Sequence, residues 1–170
     1  MPKIKRIVLM GGAYTNGNVT PAAEFNIIAD ADAAYVCFTS GRPITMIGLD
    51  VTRKALCYPS IVDRMDKIGN KASKLFVDLM RHFCKSQKEV FGWEGGPLHD
   101  PITIAWLIDP SVVETKPMHA EIDIRSVQSY GRTNCDFFGY QKLEPNADVG
   151  IDIDAEKFWD MVEEVLKMYD

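Results

Sequence analysis

The sequence predicts a single α/β domain spanning residues 1–170, with an open, mostly parallel β-sheet and flanking helices, and three observations lead there. The chain has 170 residues, 46% of them hydrophobic, which is enough for one domain with its own core and short for two. Its N-terminal part runs from an apolar, β-branched segment through a helical segment to a second apolar segment, the order of a parallel strand pair joined by a crossover helix. Its C-terminal end is a short alternating strand followed by an amphipathic helix.

Taken in order, Ile4 to Met10 is a buried strand that stops at Gly11-Gly12 and opens into a glycine-rich loop. In open α/β sheets ligands sit outside the carboxyl ends of the strands, so this loop is a candidate site. Asp30 is the N-cap candidate for a helix over about residues 31–40, which Gly41 and Pro43 stop. Ile44 to Leu49 forms the second strand. From Asn70 the apolar positions Ala72, Leu75, Phe76, Leu79, Met80 and Phe83 recur at three and four, predicting a helix with one buried stripe that continues to about Val90. Gly92, Gly95, Gly96 and Pro97 end it. Pro101 suits the first turn of the next helix, through about Leu107, because a first-turn amide has no helical acceptor. Met118 to Ile124 alternates like a strand, as does Val149 to Ile153. Asp154 then caps a terminal helix with Phe158, Val162, Val165, Leu166 and Tyr169 facing inward.

Composition narrows the partners. A net charge of -5 argues against nucleic acid, whose phosphates call for a basic face. The local basic residues Lys3, Lys5 and Arg6 read as the solvated start of a strand. Cys37, Cys57, Cys84 and Cys135 are widely spaced, without a C-x-x-C pair, and are expected to be free thiols. No apolar run approaches the roughly 18 residues of a membrane span, and no secretory signal pattern follows Met1, so no membrane is expected and a cytoplasmic location is.

Two segments carry side chains suited to chemistry. In Met10-Gly11-Gly12-Ala13-Tyr14-Thr15-Asn16-Gly17-Asn18, followed by Val19 to Asn26, the side chains of Asn18, Glu24 and Asn26 offer the mixed donors and acceptors that several sugar hydroxyls require together. The structural alternative is a helix start, with Thr20 as N-cap, Pro21 in the first turn and Glu24 near the positive end of the dipole. In Gly96-Pro97-Leu98-His99-Asp100-Pro101, Asp100 is either a hard oxygen ligand for a cation such as Ca2+ or an ordinary N-cap before Pro101. His99 titrates in the range where a proton can be donated near neutrality. Gln87 and Phe91, on the preceding helix, can form a wall of amide and aromatic surface, and Phe91 can equally be core. Phe83 and Trp93 are possible neighbours, whereas His82 and His119 read as structural. The acids Asp148, Asp152 and Asp154 alternate along a half-solvated strand and its cap rather than forming a metal motif.

Both segments closely resemble motifs of the inosine-uridine type nucleoside hydrolases. The spacing N-x5-E-x-N after Met-Gly-Gly is similar to that family's ribose-binding segment, and Leu98-His99-Asp100-Pro101 to its histidine-aspartate motif. The resemblance implies that Asn18 and Glu24 hold the 5'-hydroxyl side of ribose and Asn26 its ring hydroxyls, with Met10 and Phe25 at the substrate. It implies that Asp100 ligates Ca2+ and contacts a ribose hydroxyl, that His99 assists the leaving base, and that Gln87 and Phe91 lie over that base. His99 stands where purine-stacking members carry tryptophan, which points to the inosine-uridine or cytidine-uridine type. The reaction expected of a complete member is hydrolysis of a ribonucleoside to ribose and free base, as in nucleoside catabolism and purine salvage. Such members open with an aspartate-rich calcium motif, D-x-D-x-x-x-D-D, that nothing before Met10 supplies. The chain is therefore expected to correspond to a family member's C-terminal half, with N-terminal strands of the fold missing. It is then a hydrolase by descent, or else a truncated, non-catalytic nucleoside- or ribose-binding remnant or one half of a split enzyme. An unpaired sheet edge would favour a homo-oligomer or a complementary N-terminal segment as partner.

Overall fold

The computed structural model describes residues 3–170. Four consecutive apolar residues form β1 (Ile7–Met10), shorter than expected because residues 3–6 precede the strand. A loop leads to two short helices, α1 (Phe25–Ala29) and α2 (Ala31–Phe38), and the chain returns as β2 (Ile44–Ile47). Asp30 caps α2 as its side chain accepts from Ala33 N at 2.8 Å. The two strands pair in parallel, Ile7 opposite Ile44 and Met10 opposite Ile47, which is the predicted crossover unit.

The next three elements were not anticipated: α3 (Leu49–Thr52), β3 (Leu56–Cys57) and α4 (Pro59–Asp66). The apolar run Ile44 to Leu49 reads as one strand, yet Gly48 divides it and stands at the N-cap of α3. After α4 comes the long helix α5 (Lys71–Phe91), capped by Asn70, which accepts from Ser73 N at 2.8 Å, and by left-handed Gly92. Its buried stripe differs from the expected one: Ser73, Val77 and Met80 are buried, whereas Leu75 and Leu79 are 62% and 61% exposed. The apolar arc is wider than the buried one, and α4 and α7 select the side where small Ser73 permits close approach.

The chain continues through β4 (Gly96–Pro97), α6 (Pro101–Ile108), a 3-10 turn (Pro110–Val112), β5 (Val113–Met118), β6 (Ala120–Ile122), β7 (Thr133–Cys135), β8 (Ala147–Ile153) and α7 (Ala155–Lys167). The predicted strand over Met118 to Ile124 is thus two strands in different sheets, divided at His119. Asp154 caps α7, and Asp152 and Asp148 pair with Lys54 and Arg6, as surface acids do.

The main sheet runs β1-β2-β8-β5; β1, β2 and β8 are parallel and β5 lies antiparallel on β8. Among the described residues β1 is therefore one edge of this sheet. Alternation along β2 sends Ile44 and Met46 to a core with Ile27, Ala31, Phe38 and Val149, and Ile47 to a second core with Val51, Met65, Val77, Ile102 and Phe158. Burial on both faces leaves all four residues of β2 buried, Thr45 included. Arg6 corrects the reading of a merely solvated cluster. It donates to buried Thr45 Oγ1 at 2.7 Å, pairs with Asp148 at 3.1 Å and lies 5.5 Å from the Trp106 ring centre.

Candidate functional site

The two predicted segments lie far apart in sequence, and α3 joins them. Its start is a close approach: Leu49 N donates to Gly12 O at 2.9 Å, and a Cβ on Gly48 would fall 2.6 Å from that same oxygen. Asp50 accepts from Tyr14 N at 2.7 Å and from the Thr15 hydroxyl, pinning the first loop. Thr52 Oγ1 lies 2.8 Å from Nδ1 of His99 in the second segment. Arg53, which ends α3, donates to Gly17 O at 3.4 Å and lies over the Trp93 ring at 5.6 Å. One helical turn therefore touches the glycine-rich loop, the histidine-aspartate segment and Trp93 just beyond α5.

Within the first segment Glu24 is 3% exposed and is the N-cap of α1. Its carboxylate accepts from Gly12 N at 2.9 Å, Asn26 N at 2.9 Å and Ile27 N at 3.2 Å. The helix-start alternative is half right, because Thr20 accepts from Ala22 N and Ala23 N without starting a helix, and the cap is Glu24 itself. Asn18 Oδ1 accepts from Phe25 N at 2.9 Å, which leaves its amide NH2 as the group available to a ligand. The Asn26 amide donates to Met10 O at 3.2 Å and lies 3.3 Å from Met10 Sδ, so these two residues form one surface. Phe25 is 60% exposed beside them. Thr133, from β7, braces the loop from behind, accepting from Ala13 N at 2.9 Å and donating to Ala13 O at 2.6 Å.

In the second segment Asp100 is exposed, and its side chain makes no capping hydrogen bond to α6. Pro101 occupies the first turn of that helix as predicted, but the N-cap alternative for the Asp100 carboxylate is not what the structure contains. His99 is partly buried, and desolvation lowers its pKa; adjacent Asp100 opposes that shift, while Arg53 adds to it. The shift is downward from the ordinary imidazole value and favours the neutral ring, a hydrogen-bond donor at one nitrogen and an acceptor at the other.

Gln87 and Phe91 are on the last turns of α5, with Gln87 half-buried and Phe91 48% exposed. Phe91 is thus not core, and it stacks on Trp93 with ring centres 4.9 Å apart. Phe83 belongs to the core, His82 is exposed, and His119 bonds Glu144 O and Glu121 in a structural role. Met10, Asn18, Glu24, Phe25 and Asn26 form one cluster, and α3 links its loop to His99. Sequence reasoning missed Asp50, Thr52, Arg53 and Thr133. The signal for the first three was there: polar residues immediately beyond the carboxyl end of a buried strand.

Calcium takes about six to eight oxygen ligands. Among the described residues no three His, Cys, Asp or Glu side chains converge as a metal site, so this set of groups does not by itself fit a complete calcium cage. Also among them, no helix is long and apolar enough to cross a membrane.

Comparison with known proteins gives a consistent result. The sequence model of the inosine-uridine preferring nucleoside hydrolase family matches residues 1–160. The chain is 48% identical over 169 residues to the pyrimidine-specific ribonucleoside hydrolase RihB of Shigella flexneri, covering 99% of this chain and 54% of that protein. It is equally similar, at 48%, to RihB of an Escherichia coli strain, again covering 54% of the relative. The chain thus spans about half the length of these curated relatives. Among solved structures, a purine-preferring ribonucleoside hydrolase from Gardnerella vaginalis superposes with a TM-score of 0.84 at 33% identity, over 96% of this chain and 53% of that one. The plant nucleoside hydrolase PpNRh1 gives 0.84 at 25% identity, over 95% and 53%.

Proposed function

The chain belongs to the inosine-uridine preferring nucleoside hydrolase family, and on that premise we propose that it supplies the ribose-binding and leaving-group half of a ribonucleoside hydrolase site. The observation that carries this reading is the convergence of both motifs on α3, through Gly12, Tyr14, Gly17 and His99. Asn18 and Glu24 hold the 5'-hydroxyl side of ribose, Glu24 with the acceptor capacity its three backbone donors leave, and Asn26 with Met10 holds the ring hydroxyls. Phe25 flanks the sugar. Gln87 and Phe91 face the base, and His99 donates a hydrogen bond to it as the glycosidic bond breaks. Contacts that tighten as the sugar becomes oxocarbenium-like lower the barrier. Pyrimidine ribonucleosides are the first substrates to test, because the bacterial relatives at 48% identity are named pyrimidine-specific.

Asp100 is proposed as one oxygen ligand of Ca2+, the remaining ligands coming from outside the residues described. Its carboxylate, free of a capping bond, supports that assignment. The open edge of β1 and the exposed Ile104, Leu107 and Ile108 on α6, which packs on β1, support pairing with further strands of the longer fold, or with a second copy of the chain. A cytoplasmic location remains part of this proposal.

The test measures base release from uridine, cytidine and inosine by the 170-residue chain and by the same chain fused to the unmatched part of a relative. The expected outcome is turnover only in the fusion, lost on Asn18→Ala or Asn26→Ala. Calcium-dependent turnover by the 170-residue chain alone, abolished by Asp100→Ala, would overturn the half-site reading.

A further inference from the structure

Thr52 is fully buried, and its hydroxyl has one hydrogen-bond partner among the described residues, Nδ1 of His99 at 2.8 Å. The acceptor that a helical threonine would otherwise use, Gly48 O, already receives the backbone N–H groups of Val51 and Thr52 at 3.1 Å each. Two proton arrangements satisfy the 2.8 Å contact. If Nδ1–H donates to Oγ1, the buried hydroxyl proton has no acceptor. If the hydroxyl donates to Nδ1, the buried hydroxyl proton has its acceptor, and the ring carries its own proton on Nε2, the nitrogen left for a ligand.

We propose that Thr52 is a positioning residue which fixes the tautomer of His99, so that Nε2–H is the donor presented to the departing base. The inference rests on the proposed role of His99. It adds the reason why a neutral imidazole at this position is a donor rather than an acceptor. The hydroxyl is itself held in place, since Thr52 belongs to α3 and its β-branched side chain has few rotamers. Nothing else in contact with Nδ1 competes for the role among the described residues.

The test reads the tautomer directly, on the chain itself. Long-range proton–nitrogen correlation spectra of ring-labelled histidine, at about pH 8, above the ordinary imidazole range, distinguish the protonated nitrogen of each of the three histidines. The His99 signals are assigned by their loss in His99→Gln. The expected result is a His99 ring protonated at Nε2 in the wild type and in Thr52→Ser, and a mixture of both tautomers in Thr52→Val. A wild-type ring protonated at Nδ1 overturns the proposal even if no variant folds, and so does an unchanged tautomer in a folded Thr52→Val. Because this readout needs no catalysis, it separates from a failure of the hydrolase reading. In that case the tautomer stands and only the substrate experiments fail.

Discussion

The guanidinium of Arg53 lies 5.6 Å from the ring centre of Trp93 while the same side chain donates to Gly17 O at 3.4 Å. One residue thus clips the segment that follows the long helix to the first loop. A cation–π contact of this kind contributes about 0.5–1 kcal/mol at an exposed position. In a double-mutant cycle of Arg53→Ala and Trp93→Leu, followed by urea unfolding, a coupling of that order is expected. Additive effects would mean that the two side chains merely lie side by side.

Glu24 concentrates three backbone donors on one buried carboxylate. Glu24→Ala leaves those N–H groups without an acceptor, and the expected loss of unfolding free energy is about 1–3 kcal/mol, more than removal of an exposed ligand contact would cost. Glu24→Gln keeps one acceptor and should recover part of the loss. A Glu24→Ala variant as stable as wild type would show that water replaces the carboxylate and that its role is confined to the ligand.

His99→Ala tests the leaving-group assignment in the complete enzyme. Cleavage of uridine or inosine should slow by about 10²-fold to 10³-fold, the range for losing one hydrogen-bond donor aimed at developing charge. A riboside whose leaving group needs no proton should be little affected. Equal losses on both would assign His99 to ribose binding or to structure.

The isolated chain should bind Ca2+ weakly or not at all in a calorimetric titration, because Asp100 is the one ligand proposed for it. The fused protein should bind it, and Asp100→Asn should weaken that binding. Stoichiometric, tight binding by the chain alone would require a second set of oxygens elsewhere on its surface.

Burial pushes the Cys57 thiol from its ordinary 9.0 up to about 12, with neighbouring Cys84 adding to the shift. The unfolded chain therefore loses this proton at lower pH than the folded one. The corresponding stability is fully present below about pH 9 and falls as pH rises toward 12. Urea unfolding across that range should show a steeper decline for wild type than for Cys57→Ala. Parallel declines would assign the alkaline loss to other groups.

The parts of this fold legible in the sequence were those with strong local punctuation. Asp30, Asn70 and Asp154 stand at the helix starts they predict, and Gly92 at the helix end. The strand–helix–strand unit followed from β-branched runs separated by a capped helix. What was not legible depended on partners distant in sequence. Nothing local to Leu75 and Leu79 indicates that α4 and α7 bury the other side of α5. Nothing around His119 shows that the chain changes sheets there. The site divides in the same way. The ligand-type residues stand out by chemistry and spacing, whereas Thr52 and Arg53 show in the sequence only as polar residues past a buried strand, and their partners His99 and Trp93 appear only in the fold.

The brevity of α3 has a consequence for how this protein can vary. Successive residues on a helix point about 100° apart, and Asp50, Thr52 and Arg53 reach three different pieces of chain. Inserting or deleting a single residue between Gly48 and Arg53 would rotate every later side chain away from its partner at once, and no neighbouring position could take over. A conservative replacement at Asp50, Thr52 or Arg53, by contrast, disturbs that residue's own contacts alone. Residues 48–53 are thus constrained in length as well as in composition, unlike an ordinary surface connection, where added residues are absorbed.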